Sequence, residues 1–141
     1  MNDMEAMQMT KDFEGLRLKP YRCSAGKLTI GYGRNLEDVG ITKEEANLLF
    51  INDYYDAKNS LKTLLVANGI KYENLHKDVL FALTDMMFNL GYDRMSKFKK
   101  LLYELKKGSY EGVAREMKDS KWYIQVGNRS KKLVEIVQRT S

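Results

Sequence analysis

The single proline of this 141-residue chain, Pro20, restricts its fold more than any other residue: beyond it no proline interrupts a helix, and Leu and Met recur at helical spacing almost to the C-terminus. Thr42 followed three residues later by Glu45 is a capping-box signature. It opens a helix through Leu48, Leu49, Tyr55, Leu61, Leu64 and Leu65 that should stop near Gly69. Residues 75–90 place Leu75, Val79, Leu83, Met86, Met87 and Leu90 at helical spacing, with Phe81 and Phe88 beside them, and Gly91 ends the run. The pattern predicts further helices over 95–107, 110–117, 119–125 and 128–139, the first carrying Phe98, Leu101, Leu102 and Leu105 and stopped by Gly108.

Before Thr42 the pattern is different. Met4, Met7 and Phe13 among polar residues predict a short helix over 2–14, stopped by Gly15. Leu16, Leu18, Tyr21, Leu28, Ile30 and Tyr32 then alternate among Gly26, Gly31 and Gly33, which reads as short strands and turns, hence a small antiparallel sheet. The expected class is α+β, mainly α, with a sheet-bearing lobe at about 15–45, a linking helix at about 42–68 and a helical lobe at about 69–141. At this length, with 43% hydrophobic residues and no linker or repeat, one domain with one core is expected.

The lone cysteine, Cys23, excludes an internal disulfide and a Cys-based zinc site, so packing alone must hold the fold, and no metal or cofactor site is read. No apolar run approaches the ~20 residues of a membrane span, so membrane insertion is not expected, and MNDMEAMQMTKDFEG is too polar for a signal peptide. The net charge of +5 attracts polyanions of any kind: nucleic acid, anionic lipid or a wall rich in carboxylates and phosphates.

The chemistry concentrates in EGLRLKPYRCSAGKLTIGYG, where Glu14, Cys23 and Thr29 stand with eight and then five residues between them. Acid-assisted hydrolysis needs a proton for the leaving group and a positioned water or nucleophile on the opposite face. Glu14 is expected at the C-terminal end of its helix, the negative pole of the macrodipole, a setting in which a carboxyl group tends to keep its proton. Thr29 and Cys23 could hold the water, and Arg22 or Lys27 nearby could favour a thiolate. Taken singly these residues are ordinary: a Glu before a helix-ending Gly is usually solvated, a lone Cys is usually a small core hydrophobe, and Thr is common in strands.

Together with the flanking GLRLKPY and TIGYGRNL, the spacing resembles the phage-type lysozymes, the endolysins of glycoside hydrolase family 24, whose pattern is Glu, eight residues, usually Asp, five residues, Thr. Cys23 departs from it. The resemblance extends through ALTDMMFNLG and SKWYIQVGNRSKK to nearly the whole chain. It implies a two-lobed lysozyme-like fold in which the helix 2–14 joins the helical lobe, and a muramidase that cleaves the β-1,4 bond between N-acetylmuramic acid and N-acetylglucosamine of bacterial peptidoglycan. It implies Glu14 as proton donor with Cys23 and Thr29 as the other catalytic residues; Tyr32, Asp85, Asn89 and Arg129 binding substrate or tuning Glu14; and Trp122, Tyr123 and Gln125 packing beneath the cleft, the two aromatics as core. Arg34 and Asp53 are expected to form an ion pair. No cofactor is implied. The expected setting is a monomer made in the bacterial cytoplasm and released to the wall through a holin lesion.

Other readings stay open. A lytic transglycosylase uses one carboxyl group and the substrate's own hydroxyl, which suits a chain lacking the second carboxylate. A wall-binding module without chemistry is the other, since a thiol is a poor base at its reference pKa of about 8.5. A nucleic-acid binder rests on charge alone: Lys97, Lys99, Lys100, Lys106 and Lys107 lie near Phe98 and Tyr103, but such a set is usually the solvated side of an amphipathic helix. His76 is read as a single exposed imidazole.

Overall fold

The computed structural model describes residues 1–140. It is an α+β structure dominated by helix, and its chain forms two compact units, Met1–Leu48 and Leu49–Ser141. The first unit opens with α1 (Asp3–Glu14), capped by Asn2, whose side chain accepts from the Glu5 N–H at 2.9 Å. Gly15 ends the helix at φ 75°, its N–H donating to the Lys11 carbonyl at 2.8 Å. That left-handed backbone, open to glycine without strain, turns the chain immediately after Glu14 into β1.

Strands β1 (Arg17–Arg22), β2 (Leu28–Gly31) and β3 (Arg34–Asn35) form the expected antiparallel sheet in the order β1-β2-β3. Tyr21 pairs with Thr29 and Arg22 with Leu28, while an irregularity between Arg17 and Tyr21 accommodates Pro20, which has no N–H for the ladder. Among residues 1–48 the buried side chain is Thr29, so polar contacts rather than an apolar core brace this unit. Arg22 lies 3.4 Å from Glu37, and Lys27 lies 3.6 Å from Glu37 and 3.4 Å from Asp38. Exposed pairs of this kind contribute about 0–1 kcal/mol each.

Helix α2 (Lys43–Ala67) begins at the predicted capping box: the Glu45 N–H donates to Thr42 Oγ1 at 3.1 Å, and Glu45 Oε1 accepts from the Thr42 N–H at 2.8 Å. The carboxylate has a second task. Arg34 grips it bidentately, at 2.8 and 2.7 Å, and donates to the Gly40 carbonyl at 3.0 Å. The expected pairing of Arg34 with Asp53 is therefore corrected to Glu45, which the capping box already points back toward β3. The Arg34 guanidinium, then the Thr42 N–H, hold the Glu45 carboxyl down to about 2, from an ordinary value of 4.5. Because the folded value is depressed, the stabilisation is fully present above about pH 4.5 and is lost as pH falls toward 2. Thermal melts from pH 6 to 2 should show a steeper fall for wild type than for Glu45→Gln below pH 4.5. Parallel curves would exclude this linkage.

Beyond Leu48 the structure is helical and holds the apolar core. The first half of α2 leaves Leu49, Phe50 and Tyr55 exposed, whereas Leu61, Leu64 and Leu65 near its end are buried. After a 3-10 turn at Tyr72–Asn74 comes α3 (Lys77–Leu90), which buries Val79, Leu83, Met86 and Met87 as its periodicity predicts and leaves Phe81 and Phe88 exposed. His76 is exposed, as expected, and also caps α3, its Nδ1 accepting from the Asp78 N–H at 3.1 Å. The helix predicted over 95–107 is two: α4 (Tyr92–Ser96) and α5 (Lys99–Lys107), separated where Phe98 takes φ −78°, ψ 62°. The break lets Met95 and the Leu101, Leu102 and Leu105 face all enter the core, with the lysines of α5 on its solvated side. Helices α6 (Tyr110–Lys118), α7 (Lys121–Val126) and α8 (Asn128–Thr140) complete the unit, with α3 and α6 packed on α8 and α5 on α6. No helix among the described residues is long and apolar enough to cross a membrane.

Candidate active site

Glu14, the last residue of α1, is exposed and reaches the loop between β2 and β3. A methyl group added to Gly33 would lie 2.6 Å from Glu14 Oε2, so only a residue without a side chain lets the carboxylate occupy this position. Gly33 also stands at φ 83°, which any other residue would adopt under strain. Tyr32, next to it, is 46% exposed, with the Lys11 ammonium 5.2 Å from its ring centroid, an arrangement that ties α1 to the same loop.

Cys23 and Thr29 are brought together by the β1–β2 hairpin. The Cys23 N–H donates to the Lys27 carbonyl at 3.0 Å and the Gly26 N–H to the Cys23 carbonyl at 2.8 Å, closing the turn between the strands. Thr29 is buried, and its hydroxyl donates to the Lys27 carbonyl at 2.8 Å. Backbone hydrogen bonding from Lys27, then from Ala25, then the Thr29 hydroxyl hold the thiol below its ordinary value, against a smaller opposing effect of burial. The expected helpers, the side chains of Arg22 and Lys27, are engaged with Glu37 and Asp38 instead. The loop thus favours an anion at the position of Cys23 through its amides.

Within the second unit, Asp85 Oδ2 accepts from Arg129 Nε at 2.7 Å, joining α3 to the start of α8. This bond is the main reason the Arg129 guanidinium holds its proton more firmly than usual. Asn89 is exposed, and its Oδ1 accepts from the Trp122 indole N–H at 2.9 Å. Trp122 is buried, as expected of a core aromatic; Tyr123 is half-buried, and Gln125 is exposed. Ser130, fully buried, reaches the Tyr123 and Gly127 carbonyls at 2.7 Å each and fixes the turn that presents Arg129.

A family model described as phage lysozyme matches residues 11–140, from the last turn of α1 to the end of α8. The chain belongs to the phage lysozyme family. As a member it is a lysozyme, a glycosidase whose substrate is peptidoglycan. It is 34% identical to the endolysin of Acyrthosiphon pisum secondary endosymbiont phage 1, over 84% of this chain and 77% of that one. Its identity to probable T4-type lysozyme 2 of Dictyostelium discoideum is 28%, over 92% and 91% of the two chains. The pre-baseplate central spike protein Gp5 of Enterobacteria phage T4 is 27% identical over 96% of this chain, which spans 28% of that longer protein.

Two features of this lysozyme escape sequence reasoning. Gly33 was visible as part of a turn, but nothing in GYG tells which glycine faces Glu14. The partnership of Asn89 with Trp122 spans 33 residues and has no local signature.

Proposed function

We propose that the chain is an endolysin-type muramidase, hydrolysing the β-1,4 bond between N-acetylmuramic acid and N-acetylglucosamine with Glu14 as the proton donor. The observation that carries this reading is the seat of Glu14 against Gly33, in the same compact unit as the Cys23–Thr29 pair. Glu14 would protonate the departing glycosidic oxygen as positive charge develops on the sugar ring. Cys23 stands where the family usually has its second carboxylate, and with Thr29 it would hold the attacking water. Asn89, its amide oxygen already held by Trp122, keeps its N–H2 free to donate to the sugar, with Tyr32 a further contact. Arg129, oriented by Asp85, would tune the charge at the reacting centre.

The whole chain is proposed to act as a single, monomeric catalytic domain, made in the bacterial cytoplasm and admitted to the wall by a holin. Mass spectrometry of digested peptidoglycan tests the reaction. Reducing N-acetylmuramic ends are expected; anhydro ends would mean transglycosylation, and an intact wall with bound protein would mean a binding module.

Gly33→Ala tests the seat of the acid. The added methyl would displace the flexible Glu14 carboxylate, and a misplacement of about 1 Å in a reacting group costs up to ~100-fold in rate. The backbone strain should cost about 1–3 kcal/mol of stability. Activity is therefore expected to fall at temperatures where melting curves still show a folded protein, and wild-type turnover would rule out Gly33 as the wall of the site.

A further inference from the structure

Gly33 is the wall against which Glu14 rests, yet little in its own segment holds it there. The tip of the β2–β3 hairpin is Tyr32 and Gly33, and the glycines on either side of the tyrosine, Gly31 and Gly33, stand at φ 71° and 83°. A turn with two glycines has many backbone conformers open to it, and the ordered one must be selected by a contact. Burial does not select it, because Tyr32 is half-exposed and Gly33 is exposed as well. Arg34, held by Glu45 and the Gly40 carbonyl, fixes the base of the hairpin and leaves the tip to be fixed by something else.

The contact that reaches the tip comes from α1. Lys11 stands three residues before Glu14, so the two side chains leave the last turn of the helix on one face. Its backbone carbonyl accepts the Gly15 N–H at 2.8 Å, closing the helix where Glu14 stands, and its ammonium lies 5.2 Å from the centroid of the Tyr32 ring. Among the described residues no carboxylate, Glu14 included, lies within ion-pair distance of Lys11, so the ammonium is engaged by the ring and not by the acid. A cation in the last turn also complements the negative pole of the helix. One residue therefore joins the helix end that carries the acid to the hairpin tip that backs it.

We infer that Lys11 is a positioning residue of the hydrolytic reaction: its ammonium on the face of Tyr32 holds Gly33 behind Glu14 and so keeps the carboxyl group in place for the departing glycosidic oxygen. Without the charge, the tip leaves this position for part of the time and the carboxyl group moves with it. An exposed cation–π contact is weak, so the competent population falls by a few-fold rather than vanishing. The loss falls on turnover and not on substrate binding, because Lys11 acts through Glu14.

This inference rests on the reading of Glu14 as the proton donor. Lys11→Met keeps the length and the apolar stem of the side chain and removes its charge. With soluble, uncross-linked peptidoglycan strands, its kcat should fall roughly two- to fivefold with KM unchanged, at a temperature where melting curves show a folded protein. Lys11→Arg should keep the wild-type kcat, since a guanidinium stacks on tyrosine at least as well as an ammonium. In a Tyr32→Leu background Lys11→Met should lower kcat no further, because the contact is already gone. A wild-type kcat in Lys11→Met, a change confined to KM, a loss that arginine does not repair, or losses that multiply in the double variant would each overturn the inference. The contact also has a readout that needs no turnover: in NMR spectra the Tyr32 ring should shift the ε-methylene protons of Lys11 upfield, and Tyr32→Leu should abolish the shift. Its absence from the wild type would overturn the inference too. Failure of the underlying reading would show separately, as turnover near the wild-type rate in Glu14→Gln with that ring shift intact.

Discussion

Glu14→Gln is expected to lower the rate of wall hydrolysis by at least ~100-fold, the usual contribution of a general acid, while leaving the melting temperature unchanged. Both halves follow from the surroundings of the residue. Glu14 is exposed and makes no ion pair among the described residues, so replacing one carboxyl oxygen by an amide nitrogen removes no stabilising contact. Gln has the same length, so it fits beside Gly33, but it has no proton to deliver at the pH of the reaction. Reducing-end release from purified sacculi measures the first effect and thermal melting the second. Turnover near the wild-type rate would remove Glu14 from the chemistry and leave the lysozyme without an identified acid.

How much of this was legible in the sequence depends on the range of the interaction involved. Local signals were read correctly: Gly15 and Gly91 as helix stops, Thr42 with Glu45 as a capping box, Leu101, Leu102 and Leu105 as the buried face of an amphipathic helix. The break at Phe98 was not, because continuous helical spacing from Met95 to Leu105 satisfies the periodicity whether or not the chain bends. Partner choice was the harder matter. Arg34 was expected to meet Asp53, and the bidentate fit to Glu45 is visible only once the capping box fixes where that carboxylate points. The same holds for Cys23: the sequence offered two cationic neighbours to stabilise a thiolate, but the hairpin spends both on Glu37 and Asp38 and supplies backbone amides in their place.

Those amides give the Cys23 prediction its direction. They belong to the backbone of the loop rather than to the side chain they serve, so an aspartate at the same position would meet the same donors and carry full negative charge at neutral pH. Cys23→Asp is therefore expected to keep much of the wild-type activity. Cys23→Ala removes the sulfur while the Thr29 hydroxyl keeps its bond to the Lys27 carbonyl, and it should lose about 10- to 100-fold, since the attacking water then has one polar partner fewer and no base beside it. The thiol is half-buried, in a turn whose Ser24, Ala25 and Gly26 are exposed, and its lowered pKa enriches the reactive thiolate, so iodoacetamide should inactivate the wild type and spare Cys23→Asp. Rates on sacculi for the three proteins, with and without alkylation, decide the matter. Full activity in Cys23→Ala would reduce the thiol to packing and leave Glu14 and Thr29 to act alone. In that event the fragment ends gain a second use, because an enzyme with one carboxyl group and no base for water is better suited to attack by the substrate's own hydroxyl, and anhydro ends should appear.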